Sequence, residues 1–194
     1  MNNLKIIIGS TRNGRIGDKI GKLTADLFKE KGGFDIEIID LKDWSLPFFN
    51  EIGSIPSLKG NFSNPIINKW TEKINEGDAY VLVTPEYNHG YPAVLKNAID
   101  YAFNEWSKKP ITFVSYSTGP FAGVRAVEQL RAILVAFRTV PMNDALHLAN
   151  MSLESFDENN NYKDYKNLKL IFEPVYKEVL WWTNTLKYGR ENIK

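Results

Sequence analysis

The sequence predicts an α/β fold, a doubly wound parallel sheet of five strands with helices on both faces. Three observations carry that expectation. Short apolar runs alternate with stretches of helical hydrophobic spacing about five times along the chain, the pattern of successive βαβ units. The three most apolar runs each end in a loop rich in glycine and small polar residues, where an open sheet of this kind places its ligands. No internal repeat, low-complexity segment or linker divides the 194 residues, so residues 1–194 are expected to form one domain.

LKIII (4–8) is a β-branched run that ends at Gly9 and reads as a buried strand. Ile16, Ile20, Leu23 and Leu27 follow at helical spacing, and Gly32-Gly33 supply a stop. FDIEIID (34–40) alternates as a second strand. Residues 41–62 are expected to be loop, punctuated by Pro47, Pro56 and Gly60, before a helix around 63–76. AYVLVT (79–84) is a third strand, apolar throughout. Pro92 suits the first turn of a helix whose stripe is Leu95, Ala98, Ile99, Ala102 and Phe103. ITFVSY (111–116) is a fourth strand, and Val127, Leu130, Leu134 and Phe137 mark the helix after it. TVPM (139–142) is a weaker strand whose Pro141 points to a sheet edge. A last helix carries Leu168, Ile171, Val175, Val179, Trp182 and Leu186, and Pro174 inside that pattern predicts a kink or a break.

Composition narrows the chemistry. The net charge is +1 and the charges are mixed along the chain, so no nucleic-acid patch or acidic tail is expected. No apolar run is long enough to span a bilayer, and MNNLKIIIGS lacks the features of a signal peptide. A cytoplasmic protein without a membrane partner is expected, in which the N-x-S matches at Asn61 and Asn150 carry no glycosylation meaning. The absence of cysteine removes disulfides, thiolate metal sites, iron–sulfur clusters and a cysteine nucleophile. With His89 and His147 as the only histidines, no metal site is expected. An enzyme of this composition would leave the difficult chemistry to something it binds.

Three loops should meet at one sheet edge: GSTRNGRIG (9–17), PEYNHGYP (85–92) and STGPFAG (117–123). The first opens a helix and brings Ser10, Thr11, Arg12, Asn13 and Arg15 together without an acid. Hydroxyls, free backbone N–H groups, a helix start and arginines are the parts of a phosphate site. The dinucleotide fingerprint G-x-G-x-x-G fails for want of its middle glycine. The P-loop pattern fits from Gly9 to Gly14 and then breaks at Arg15 and Ile16, which leaves no magnesium ligand. A phosphate monoester bound without metal fits better; the other reading is a strand–helix turn with exposed arginines. PEYNHGYP is stiffened by Pro85 and Pro92, with Gly90 expected to permit a tight bend. It offers backbone groups, Asn88 and the flat surfaces of Tyr87, His89 and Tyr91. Such a loop can hold a flat heterocycle by its polar edge, or be a proline-framed turn whose aromatics cap the core. STGPFAG, taken alone, is an ordinary turn.

GSTRNGRIG after the first strand and PEYNHGYPAVLKNAID after the third resemble the NADPH-dependent FMN reductase family, a flavodoxin-like group that includes quinone, azo-dye and chromate reductases. The resemblance spans roughly residues 4–145, and DLKDWSLPFFNE (40–51) is similar to the family's acidic, proline-bearing loop. It implies the strand order 2-1-3-4-5 and FMN bound without covalent attachment. Ser10, Arg12, Arg15, Ile16 and Gly17 would cradle the phosphate. Pro85, Glu86, Tyr87, Asn88, His89 and Gly90 would line the ribityl chain and ring. Ser117, Thr118, Gly119 and Gly123 would close the other side. Lys96, Asn97 and Asp100 belong to the same pattern as structural or subunit-contact residues.

The activity implied is hydride transfer from NADPH, or NADH, through FMN to a small acceptor: a quinone, azo compound, nitroaromatic, metal oxyanion or free flavin. No side chain would be catalytic; His89 and Glu86 become neighbours of the ring. Members of the family are typically homodimers or homotetramers, and Trp44, Trp106, Trp181 and Trp182 would suit either such contacts or the core. Two rivals share the fold. A non-catalytic flavodoxin-type electron carrier would be strongly acidic, unlike this chain. A response-regulator module needs an acidic cluster after the first strand and an aspartate ending the third, where this chain has Gly9-Ser10 and Thr84-Pro85.

Overall fold

The computed structural model describes residues 1–58 and 61–193. Its central strands are β1 (Asn2–Ile8), β2 (Phe34–Asp40), β3 (Ala79–Pro85) and β4 (Pro110–Tyr116), followed by β5 (Val140–Pro141) and β6 (Leu146–Leu148). Between them run the helices α1 (Gly17–Lys31), α2 (Ile55–Leu58), α3 (Pro65–Asn75), α4 (Ala93–Asp100) and α5 (Val124–Val135), and α6 (Tyr165–Asn192) closes the chain. The sheet runs in the order β2-β1-β3-β4-β5, as expected, and every pairing is parallel. Parallel neighbours need a crossover connection, and α1, α3, α4 and α5 each lie in one.

The strands alternate their side chains between two cores. Leu4 and Ile6 of β1, with Ala79, Val81 and Val83 of β3, pack against α1 and α6. Ile7, Tyr80, Leu82, Ile111 and Phe113 face α3, α4 and α5. Strands β3 and β4 are buried along their whole length, which explains why they read as continuous apolar runs. α3 begins as its sequence dictates: Asn64 accepts from the Ile66 N–H and Pro65 occupies the first helical position.

Several expectations are corrected. The segment 41–62 is not all loop: a 3₁₀ turn spans Leu41–Asp43 and α2 spans Ile55–Leu58, while Gly60 lies outside the described residues. α4 ends at Asp100, so Ala102 and Phe103 continue its apolar surface from a turn. The fifth strand is interrupted. β5 pairs with Pro110 and Ile111 of β4, and β6, unforeseen, pairs with Val114–Tyr116 further along the same edge. Pro141 sits at that edge, where its missing N–H breaks no ladder. α6 is not broken at Pro174, and its inner stripe is Leu168, Phe172, Val175, Val179 and Thr183; Ile171 is exposed. Trp106 is core, its indole N–H bonded to the Ile99 carbonyl, and Trp44 packs edge-on against Trp70.

The end of α6 is pinned to the sheet by one carboxylate. Asp78 accepts from the Asn3 N–H (3.0 Å), Lys187 Nζ (2.7 Å) and Arg190 Nη2 (2.9 Å). Burial alone would raise its pKa, but Lys187, the Asn3 N–H and Arg190 together hold it below the ordinary aspartate value. A depressed folded-state pKa means the stabilisation is present above the unfolded-state value and is lost as pH falls through the folded one. Asp78→Asn is therefore expected to lower stability by about 1–2 kcal/mol at neutral pH. In urea titrations the gap between the two proteins should close in strong acid; a gap independent of pH would rule out this role.

Candidate functional site

The site starts from how closely α1 lies on the sheet. A Cβ on Gly17 would come within 2.6 Å of the Tyr116 hydroxyl, and one on Gly21 within 2.7 Å of Ile8 Cδ1, so with glycine at both positions the helix lies this close without displacing either side chain. The Gly9 N–H donates to the Val83 carbonyl (2.8 Å), which carries the β1–β3 ladder one residue beyond the strand. The chain then turns over the strand ends as residues 10–16.

That loop is held from three sides. Ser10 is buried and its hydroxyl is 2.6 Å from the Tyr87 hydroxyl. The Arg15 guanidinium donates to the Ser10 carbonyl through Nη1 and to Asp40, the last residue of β2, through Nη2. Arg15 thus braces the loop as well as facing the cleft. Arg12 faces the same cleft, is exposed, and has no ion pair among the described residues.

The second loop makes a two-residue turn. Tyr87 and Gly90 exchange backbone hydrogen bonds of 2.8 and 2.9 Å, and Asn88 and His89 at the tip both have positive φ (49° and 70°). These are the requirements of a type I′ turn. The tight bend expected at Gly90 is made instead by Asn88 and His89; Gly90 has room for a Cβ. Gln129 Nε2 ties the turn to α5 through the His89 carbonyl (2.7 Å). Glu86, at the base of the turn, has a side chain only 5% exposed. Its Oε1 accepts from Arg125 Nε (2.6 Å), while Oε2 is buried without a partner.

The third loop is shaped by Ser115 and Gly123. The Ser115 hydroxyl donates to the Ala122 carbonyl (2.7 Å) and so accepts from His147 Nδ1–H (2.7 Å). Burial, with help from Arg131, keeps His147 below its ordinary pKa, so the neutral ring with its proton on Nδ1 is the stable form. Ser117 Oγ donates to the Gly119 carbonyl (2.9 Å).

The three loops enclose a cleft of about 270 Å³ lined by Arg12, Arg15, Ile16, Pro85, Glu86, Tyr87, Ser117 and Thr118 among the residues expected there. Asn88 and His89 stand exposed at the turn tip, and Gly90 opens on a neighbouring depression beside Tyr91 and Phe48. Ser10, Gly17 and Gly123 lie beneath the cleft as buried supports. Tyr116, Met151, Ser152 and Leu153 line it and were not foreseen. Tyr116 closes the apolar run ITFVSY, where a polar side chain at a strand end is the available signal. Residues 151–153 follow β6, whose three residues are too few to stand out. Among the described residues three buried side-chain polar atoms have no partner, and two of them, Glu86 Oε2 and the Tyr116 hydroxyl, belong to residues lining this cleft. Burial, reinforced by Tyr87 and opposed by Arg15, pushes the Tyr116 pKa far up, so its hydroxyl stays a donor.

A doubly wound sheet with a polar, arginine-bearing cleft at the carboxyl ends of β1, β3 and β4 is the architecture of a nucleotide- or flavin-binding protein. The NADPH-dependent FMN reductase profile matches residues 3–152, and the chain belongs to that family. Membership makes it an FMN-dependent NAD(P)H oxidoreductase. It is 36% identical over 146 residues to an NAD(P)H-dependent FMN reductase of Schizosaccharomyces pombe, covering 74% of this chain and 72% of that one. It is 30% identical over 135 residues to a quinone reductase of Pseudomonas putida, covering 67% and 68%. The fold matches a flavoenzyme NAD(P)H:(acceptor) oxidoreductase from Paracoccus denitrificans with a TM-score of 0.77 at 24% identity, over 95% of this chain and 98% of that one. No helix among the described residues is long and apolar enough to cross a membrane.

Gly123 gives the third loop its shape at φ 78°, where a Cβ would lie 3.1 Å from Ser115 Cβ and from the Tyr116 backbone. Gly123→Ala is expected to lower stability by about 1–3 kcal/mol through left-handed strain and crowding. Thermal unfolding reads this directly, and an unchanged midpoint would show that the loop can relax around the new methyl.

Proposed function

We propose that the cleft holds FMN with its phosphate at residues 10–17 and its ring toward residues 85–90. Hydride then passes from NADPH or NADH to a small oxidised acceptor, with quinones the favoured class. The supporting observation is the match between what the cleft lacks and what such a ligand offers. Among the described residues Arg12 is a cation without an ion pair, Tyr116 a buried donor without an acceptor, and Glu86 Oε2 a buried acceptor without a donor. A ligand with an anionic end and hydroxyl or N–H groups beyond it satisfies all three. The P. putida relative's name supports quinones; azo compounds, nitroaromatics, metal oxyanions and free flavin are the other acceptors to test.

FMN, when bound, supplies the hydride acceptance and release that no side chain here provides. The chain's own residues position it. Arg12 draws in the phosphate, and Arg15, anchored on Asp40, holds the loop over the strand ends through the Ser10 carbonyl. Ser10 is oriented by Tyr87, and the Tyr116 hydroxyl adds a donor from below. Ile16, Met151 and Leu153 provide apolar walls that keep water from the reacting face. Gly119, with open space above it, lets backbone approach a ring closely. Asn88 and His89, at the turn tip, present polar groups at the edge of the ring site. A homodimer or homotetramer fits the exposed Phe48 (81%) at the depression beside Gly90 and the exposed Ile52 (96%), and a cytoplasmic setting fits the supply of NAD(P)H.

The purified protein is expected to show flavin absorbance, to bleach on anaerobic NADPH addition and to oxidise NADPH steadily when a quinone is present. A colourless protein that ignores added FMN and leaves NADPH untouched sinks the reading; bleaching without turnover would favour an electron carrier. Arg12→Ala should weaken FMN binding by about 1.5–3 kcal/mol and leave the fold intact. Tyr116→Phe should weaken FMN by about 0.5–1.5 kcal/mol yet leave the melting point of the FMN-free protein unlowered, because the hydroxyl has no protein partner to lose. Fluorescence titration of FMN measures both.

A further inference from the structure

Glu86 is a buried carboxylate compensated on one side only. Arg125, in the first turn of α5, reaches Oε1 with Nε and Nη2, and its guanidinium lies over the Phe121 ring at 4.5 Å. Arg125 itself is 37% exposed and sits on the solvent side of the pair. Oε2, without a partner, belongs to a residue that lines the cleft between Pro85 and Tyr87. Of the other charges lining the cleft, Arg15 is already neutralised by Asp40, and Arg12 belongs to the loop after β1. The charge next to the β3 turn is therefore set by Glu86 and moderated by Arg125.

We infer that the Glu86–Arg125 pair sets the reduction potential of the bound flavin, Glu86 by opposing the negative charge that reduction brings and Arg125 by limiting that opposition. The inference rests on FMN occupying this cleft. A hydride carries two electrons and one proton from NAD(P)H, which leaves as NAD(P)⁺, and the cofactor gains one unit of negative charge. A carboxylate held close in a poorly hydrated site disfavours that gain. The reduced cofactor is then a stronger reductant and yields its hydride equivalent more readily to an acceptor. Arg125 acts through Glu86 and is a positioning residue; stacked on Phe121, it holds the carboxylate through Oε1 and leaves Oε2 without a partner among the described residues.

Spectroelectrochemical titration of the FMN-loaded protein, with FMN dissociation constants measured in both redox states, tests this. Glu86→Gln should raise the midpoint potential and tighten reduced over oxidised FMN by roughly tenfold. Arg125→Gln should lower the potential and change that ratio in the opposite direction, and the double variant should return toward wild type. Arg125→Lys keeps the charge and should hold the wild-type potential, which separates charge from packing; if Arg125→Gln does not fold, Glu86→Gln and Arg125→Lys still decide. FMN bound normally with an unmoved potential in Glu86→Gln, or shifts of the same sign in both Gln variants, would overturn the inference. A wild-type protein that binds no FMN would instead overturn the reading on which it rests.

Discussion

The structure depends on how near α1 comes to the sheet. Gly17 and Gly21 leave no Cβ between the helix and Ile8 and Tyr116, and Gly9, just after β1, leaves none between the chain and Leu95 of α4 or the Val83 carbonyl. Those contacts decide where the helix begins, and the helix start decides where residues 10–16 can run. Packed at that distance, the loop lies directly over Tyr116 and within reach of Tyr87 and Asp40. A side chain at Gly17 or Gly21 would have to displace Tyr116 or Ile8, or lift the helix start.

Charge is handled differently at the two ends of the sheet. At the amino-terminal end, Asp78 is saturated by Asn3, Lys187 and Arg190, and Lys5 is shared between Glu37 and Glu76. At the carboxyl end, polar groups are only half paired among the described residues: Arg15 is bonded to Asp40, Arg12 has no ion pair, and Glu86 is bonded through one oxygen alone. Unsatisfied buried groups are costly, and of the three among the described residues two belong to residues lining the cleft at this end.

Most of the fold was legible because its signals are local and redundant. β3 and β4 are buried on both faces and show it as unbroken apolar runs, and the helices over them keep their stripes. Failures fall where tertiary contacts override local cues. Pro174 suggests a kink or a break, and of these the break does not occur: α6 continues through it, with Phe172 and Val175 buried on either side. β6 is three residues long and makes sense only beside β4. At the site, the loops were visible from glycine and proline punctuation, but the roles within them were not. That Arg15 is tied to Asp40, 25 residues on, and that Glu86 answers Arg125, 39 residues on, are facts of folding that no spacing announces.

The interruption between β5 and β6 also bears on how the protein behaves in a crowded solution. An uninterrupted edge strand is a template onto which another chain can add. Here that edge is divided into pieces of two and three residues with a proline in the first, and no long row of free donors is offered. The opposite edge, β2, is longer but carries Asp35 and Glu37, charges that a growing sheet would have to accommodate. The same break that sends residues 151–153 back toward the cleft thus guards the molecule against edge-to-edge association.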